Sequence, residues 1–208
     1  MKLDIKTIWN EEYKKNIKNQ RFSLFLKRQL NDFLKILNKN SKIIDLGCGN
    51  GEKAHYIAKH GFNVVGVDSS KEAIDYAKKN FPELKFYKRE VLSTKFKDKS
   101  FDAIVSIALF HCFLEKDRKK YVKEINRILK KRGILFQLVL SSNDETMKSG
   151  KEIEKNTFLQ KLGTPFHLFT KKELQEYFPN FEFLNFKHYQ KIINTGQIAI
   201  YIMTQRKE

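Results

Sequence analysis

The sequence predicts an α/β fold: a doubly wound, mostly parallel seven-stranded sheet, preceded by N-terminal helices and closed by a C-terminal antiparallel hairpin. Three observations lead there. Strand and helix patterns alternate from about residue 42 to residue 140. The strands are continuous apolar runs rather than alternating ones, so helices should cover both sheet faces, as they do in parallel sheets. The last two strand-like runs follow one another with no helix between them and should pair as a hairpin.

The elements follow in order. The first forty residues read as two amphipathic helices, and the second repeats Phe22, Phe25, Leu26, Leu30, Phe33, Leu34 and Leu37 at three- and four-residue steps. Lys42-Ile43-Ile44-Asp45-Leu46 is a short apolar run that ends in glycines, the mark of a buried strand. A helix over 52–60 keeps Ala54, Ile57 and Ala58 on one side, and Gly61 stops it. A second strand over 63–67 closes on Asp68-Ser69-Ser70, where Ser70 can cap a helix over 71–80 that has Glu72 in its first turn. Phe81-Pro82 ends that helix, and a third strand follows over 84–87. A fourth strand (101–107), a long amphipathic helix (117–131) and a fifth strand (133–140) come next. The polar stretch 141–169 shows no clear periodicity, and loops of that length in a compact domain are often lids. A short helix over 171–178, capped by Thr170, precedes the hairpin strands 181–188 and 197–204. Neither an internal repeat nor a linker-like tract divides the chain, so one domain is expected.

Composition sets the broad class. The chain has 208 residues, 41% hydrophobic and 31% charged, which suits one globular domain and excludes a disordered chain. No apolar run approaches the roughly 20 residues of a membrane span. The opening Met1-Lys2-Leu3-Asp4 brings an acid early and does not resemble a signal peptide. Cys48 and Cys112 are too few for a disulfide framework and lack zinc-site spacing, so no metal and a reducing, cytoplasmic setting are expected. The net charge of +17 would attract phosphates or an acidic partner. Yet the lysines lie in nearly every segment, including Lys14-Lys15, Lys78-Lys79, Lys119-Lys120, Lys130-Lys131 and Lys171-Lys172, which favours a generally solvated surface over a dedicated site.

Ligands of an open parallel sheet bind beyond the carboxyl ends of its strands, where strand order reverses. The first strand runs into Gly47-Cys48-Gly49-Asn50-Gly51 and then a helix, so backbone can approach a ligand closely there. The dinucleotide fingerprint does not fit this loop. Counted from Gly47, its last position is Glu52, whose carboxylate would also repel a pyrophosphate; counted from Gly49, it is Ala54, but the strand then ends two residues early. A P-loop is excluded because no Gly-Lys-Ser/Thr follows.

Ile43-Ile44-Asp45-Leu46-Gly47-Cys48-Gly49-Asn50-Gly51, set between strand and helix, resembles the first motif of the class I S-adenosylmethionine-dependent methyltransferases. The resemblance implies a Rossmann-like methyltransferase fold and S-adenosyl-L-methionine as cofactor. That cofactor carries a sulfonium and an ammonium and no phosphate, so carboxylates are welcome beside it. By resemblance, Asp45 lies near the methionine amino group, often through water. Asp68, ending Val64-Val65-Gly66-Val67-Asp68, can accept from both ribose hydroxyls. Ser69 stands where the family often has an apolar residue over the adenine, so neighbouring side chains would cover it. Glu90 stands where the family usually has an aspartate for the adenine amino group, and the N–H of Val91 can share that role. Ser106 and Ile107, ending the fourth strand, border the methionine end. The implied cofactor set is thus Asp45, Gly47, Cys48, Gly49, Gly51, Asp68, Ser69, Glu90, Val91, Ser106 and Ile107. The resemblance covers about 40–142 in its motifs and 165–204 in architecture. It divides the chain into a helical cap (1–40), a cofactor-binding core (41–142), a lid (143–169) and a C-terminal helix and hairpin (170–208).

Methyl transfer needs mainly an aligned acceptor and exclusion of water, and a base only if the acceptor loses a proton. The catalytic residue is therefore not fixed by motif. Candidates are His111 after the fourth strand, His167 within Thr164-Pro165-Phe166-His167, and Tyr13, with Trp9 also able to line an acceptor pocket; packing is the alternative for each. Cys112 reads as a small buried residue rather than a nucleophile. The expected acceptor is a small molecule, and an anionic one would suit the basic surface. A nucleic-acid acceptor is not favoured: Ser106-Ile107-Ala108-Leu109 lacks the Asn/Asp-Pro-Pro-aromatic motif, and no Pro-Cys nucleophile is present. A non-catalytic S-adenosylmethionine-binding protein is the remaining reading.

Overall fold

The structure is a computed structural model that describes residues 5–19, 22–194 and 196–208. The opening residues 1–4, read above for a leader, lie outside the described residues. Helix α1 (Ile5–Asn16) and helix α2 (Leu24–Leu34) precede the sheet. Ser23 caps α2 by accepting from the Leu26 N–H, and the expected stripe is buried at Leu30, Phe33 and Leu34. Phe25, at the edge of that stripe, is half-exposed and meets the Tyr189 ring edge-on.

The chain then alternates. Strand β1 (Lys42–Leu46), helix α3 (Glu52–Lys59), β2 (Asn63–Asp68), α4 (Lys71–Asn80), β3 (Lys85–Lys88), β4 (Phe101–Ile107), α5 (Glu115–Ile128) and β5 (Leu129–Leu140) follow in sequence. Ser70 caps α4 as expected, accepting from the Ala73 N–H. A second, small sheet comes next, made of β6 (Lys151–Glu154), β7 (Thr157–Leu159) and β8 (Pro165–His167). Helix α6 (Lys171–Tyr177) leads to β9 (Phe181–Ile193) and β10 (Gly196–Lys207). The main sheet has the order β3-β2-β1-β4-β5-β10-β9, with parallel pairs from β3 to β5 and antiparallel pairs at β5–β10 and β10–β9. This is the predicted doubly wound sheet with its closing hairpin.

Strand order reverses at β1, which lies between β2 and β4. The register aligns Leu46 with Val67 on one side and Ser106 on the other, so these three strands end together. Two apolar clusters sandwich the sheet, one around Ile44, Phe110 and Tyr121 and the other around Ile43, Ile57 and Phe136.

Several boundaries depart from the sequence reading. Helix α5 begins two residues before the expected 117 and stops at Ile128, because the N–H groups of Lys99 and Ser100 take the carbonyls of Arg127 and Ile128. Leu129 is already in the ladder opposite Phe101, and a bulge with Arg132 in the left-handed region separates it from Ile134. The hairpin strands run on to Ile193 and start at Gly196, beyond the expected 188 and 197. The largest difference is 141–169. Instead of an irregular stretch it folds into the small antiparallel sheet, held to α6 by a chain from Thr157 Oγ1 to His167 Nδ1 (2.8 Å) and from His167 Nε2 to Glu173 Oε1 (2.8 Å). Among the described residues no helix is long and apolar enough to cross a membrane.

Phe110 joins these parts. It is fully buried, stacked on Tyr121 and Phe169 at 4.8 Å each, and edge-on to Tyr177 and Phe178. Phe110→Ala is expected to lower unfolding free energy by about 3–5 kcal/mol, seen as a shifted denaturant midpoint. A loss under about 1 kcal/mol would show that this aromatic stack does not couple β4 to the C-terminal elements.

Candidate functional site

The β1–α3 loop crosses the carboxyl ends of the central strands. Its first N–H groups, on Gly47 and Cys48, both bond to the Val67 carbonyl at the end of β2. The Gly49 N–H bonds to Asp68 Oδ2 at 3.0 Å, while Asp68 Oδ1 takes the Ser70 N–H at 2.9 Å. Gly49 has φ +54, and a β-carbon there would lie 2.9 Å from the Tyr13 hydroxyl of α1. The turn therefore favours glycine, and a β-carbon there would also displace the Tyr13 hydroxyl.

Past this loop lies a cavity of about 490 Å3. Its floor is formed by Gly47, Cys48, Gly49, Asp68, Ser69, Glu90, Val91 and Ile107. Its roof is α1, through Ile5, Lys6, Trp9 and Tyr13, with Phe22 and Leu26 at the side and Leu109, Cys112 and Phe113 opposite. Polar ties hold the roof: Asn10 accepts from Ser70 Oγ at 2.9 Å, and Lys6 pairs with Glu90 at 2.8 Å. Glu52 accepts from the Phe22 N–H at 2.8 Å and so joins the segment before α2 to α3.

Eight of the residues expected at the cofactor thus share one surface, together with Tyr13 and Trp9. Gly51, Ser106 and Asp45 lie behind it. Gly51 is the N-cap of α3, and Ser106 accepts from the Tyr121 hydroxyl at 2.6 Å. Asp45 is wholly buried under the loop, and neither carboxylate oxygen has a hydrogen-bond donor among the described residues. Its nearest cation is Lys53, with Nζ 3.9 Å from Oδ2. Burial pushes the Asp45 carboxyl up to about 6, Lys53 opposes the rise and Asp68 adds to it. Burial also raises Asp68, against the pull of the Ser70 and Gly49 N–H groups.

The catalytic candidates separate. Tyr13 is in the cavity, and burial, with Asp68 next, keeps its hydroxyl protonated well above the usual range. His111 is not a cavity wall. Its Nδ1 accepts from the Leu140 N–H at 3.3 Å, its ring meets Phe166 edge-on, and burial pushes it down to about 3, so it is a neutral packing residue. His167 lines a different hollow of about 800 Å3, with Arg118 and Glu154. The 143–169 segment expected as a lid supplies no wall of the first cavity; α1 occupies that place. Cys48 and Cys112 are buried thiols whose burial raises both, Cys112 to about 12, which rules out a thiolate nucleophile near neutrality. Among the described residues no cluster could hold a metal ion.

Sequence reasoning passed over Lys53, Ala108 and Leu109. Lys53 could have been found from helix geometry: side chains lean toward the helix N-terminus, so the second residue of α3 reaches back to the loop. Ala108, just past β4, takes φ +57, a conformation that sequence does not announce for alanine.

Residues 44–137 match the family described as a methyltransferase domain. A S-adenosylmethionine-dependent methyltransferase from Methanosarcina mazei superposes with a TM-score of 0.76 at 25% identity, over 85% of this chain and 96% of that one. The ubiquinone biosynthesis O-methyltransferase of Pelagibacter ubique is 34% identical over 53% of this chain and 45% of its own length. The tRNA (carboxymethyluridine(34)-5-O)-methyltransferase of Xenopus tropicalis is 31% identical over 58% of this chain and 19% of its own length. The chain thus spans less than half the length of these curated relatives.

S-adenosylmethionine is the cofactor named for the Methanosarcina mazei protein, and the residues present here fit that molecule. An unsatisfied buried carboxylate suits an ammonium, and a second carboxylate faces the cavity with acceptor capacity left for a diol. In the free domain, however, the Asp45 charge is a burden. Asp45→Asn is expected to stabilise the ligand-free chain at pH 7.5 by about 1–3 kcal/mol. The folded-state value of about 6 stands above the ordinary 3.8, so the cost of burying the charge is absent below roughly pH 4 and complete above about pH 7. The gap between variant and wild type should close as pH falls through that window in denaturant titrations. A gap that widens on acidification would contradict it.

Proposed function

We propose that the chain is an S-adenosylmethionine-dependent methyltransferase that acts on a small-molecule acceptor. The observation that carries this reading is the pair of buried carboxylates flanking the glycine loop, Asp45 with no donor among the described residues and Asp68 facing the cavity. A phosphate-bearing nucleotide would be repelled there, whereas a cationic, phosphate-free nucleoside is held. Asp68 takes the ribose hydroxyls, Glu90 and the Val91 N–H take the adenine edge, and Gly47, Cys48, Gly49, Ser69 and Ile107 shape the cradle. Gly51, Ser106 and Asp45 support it from behind, with Asp45 directed at the methionine ammonium.

When bound, S-adenosylmethionine supplies a methyl group already activated by the adjoining sulfonium. The chain then has to hold an acceptor in line and keep water out. Trp9, Tyr13, Phe22, Leu26, Leu109 and Phe113 form an apolar, largely aromatic wall suited to that task. Tyr13, protonated near neutrality, donates a hydrogen bond rather than removing a proton. With the cavity roofed by α1, a small acceptor fits better than a polymer strand, and the likeness to a ubiquinone methylator supports the same class. The net charge of +17 favours an anionic acceptor, and the two buried, unpaired cysteines suit a cytoplasmic setting.

Calorimetric titration of S-adenosylmethionine and S-adenosylhomocysteine is expected to show one-site binding that Asp68→Ala weakens at least roughly tenfold, the loss of charge-assisted hydrogen bonds. Absence of binding to wild type would overturn the reading. The basic charge and the likeness to a tRNA methylator motivate a nucleic-acid alternative. Tight RNA binding that falls steeply between two salt concentrations, with methyl transfer to that RNA, would replace the small-molecule acceptor. Donor binding without transfer of labelled methyl to any component of a metabolite extract would favour a non-catalytic binding protein.

A further inference from the structure

Lys53 breaks a local rule. It is the second residue of α3, where exposed N–H groups and the helix dipole favour anions, and a cation there is unfavourable. Its side chain is also only 15% exposed, so the ammonium has lost much of its water. The surroundings offset this in an unusual way. Nζ lies 3.4 Å from the carbonyl oxygens of both Gly47 and Cys48, and 3.9 Å from Asp45 Oδ2, too far for a hydrogen bond. Asp45 itself is fully buried with no donor on either oxygen among the described residues. Two carbonyls and a carboxylate around one ammonium are the acceptors that the α-ammonium of the methyl donor would need. Two cations cannot share that position, because like charges at contact distance repel strongly in a partly dry site.

We propose that Asp45 and Lys53 act together as the receptor for the amino-acid zwitterion of the methyl donor. In the free protein Lys53 stands in for the donor's ammonium. On binding, the ammonium takes the place beside Asp45 and the Gly47 carbonyl, and Lys53, already a wall of the cavity, swings on its four-carbon stem to pair with the donor's carboxylate. The pair thus presents one charge of each sign to a tail that carries one of each. The stand-in also limits the cost of leaving Asp45 buried without a counter-charge when no donor is bound. This inference rests on the S-adenosylmethionine reading above and adds to it a residue that discriminates by the tail of the ligand rather than by its nucleoside.

The test compares two ligands on the full chain by calorimetry. S-adenosylhomocysteine keeps the amino-acid tail; 5′-methylthioadenosine has the same nucleoside and lacks it. Lys53→Met is expected to weaken S-adenosylhomocysteine roughly 10- to 100-fold, the range for a hydrogen bond to a charged group, and to leave methylthioadenosine within about twofold. Unchanged or tighter binding of S-adenosylhomocysteine would overturn the proposal, since Lys53 would then only obstruct the site. An equal loss of both ligands would also overturn it, because the role would be structural. If Lys53→Met does not fold, Lys53→Gln, which keeps a polar end, is measured in the same way and judged by the same two outcomes. Failure of wild type to bind either ligand would instead strike the S-adenosylmethionine reading itself and take this proposal with it.

Discussion

A carboxylate sealed beneath the β1–α3 loop, with no hydrogen-bond donor among the described residues, is the constraint around which the rest of this site is arranged. Asp45 cannot be moved out of the way, because it is the fourth residue of a central strand whose neighbours on both sides are in register. It can only be compensated. Lys53 does so from one side at 3.9 Å, at the cost of placing a cation at a helix N-terminus. Asp68, the nearby like charge, is itself tied down by the N–H groups of Gly49 and Ser70. The loop's path follows from these bonds, and the glycine at 49 follows from the path, since a β-carbon there would displace the Tyr13 hydroxyl. Stability is given up at one point of the molecule so that a cation finds a place prepared for it.

The two sides of the cavity are held by different forces. The floor belongs to the sheet: Val67, Ile44, Leu46 and their neighbours are fully or nearly fully buried, and the loop hangs from β2 by backbone hydrogen bonds. The roof belongs to α1, which reaches the core through Tyr13 and is tied elsewhere by Asn10 and by the half-exposed Lys6–Glu90 pair. An ion pair in that setting contributes at most about 1 kcal/mol. The roof is thus held by side-chain packing and a few polar ties, the floor by the backbone ladder of the sheet.

The strand-and-helix order and the carboxyl-end location of the site were legible because they rest on long periodic patterns and on a glycine loop with acids at fixed places. The same pattern singles out Asp45 and Asp68, which lie beneath the loop and at the cavity. What the sequence did not announce depends on through-space packing. Residues 141–169 are polar and short of periodicity, yet they make a sheet because His167 links Thr157 to Glu173 and Arg118 meets Glu154, contacts between distant segments. His111 lies one turn past β4, where a base could stand, but its ring is rotated onto Phe166 and its nitrogen is taken by the Leu140 N–H. The cavity is lined by α1 and not by 143–169, because the N-terminal helix is tied across the ends of β2 and β3 while the small sheet is tied to α5 and α6. Lys53 was hidden among many lysines; only its burial sets it apart.

The division between floor and roof has a consequence for how such a protein can be altered. The donor cradle is woven into β1, β2 and the loop that joins their ends, so a change there is also a change in the fold. The facing wall, where the proposed acceptor would lie, is drawn largely from side chains of α1 and of the start of α2. Trp9, Phe22 and Leu26 line the cavity from outside the sheet and take no part in its ladder. On the proposed reading, the side that meets the acceptor is therefore separable from the side that holds the donor.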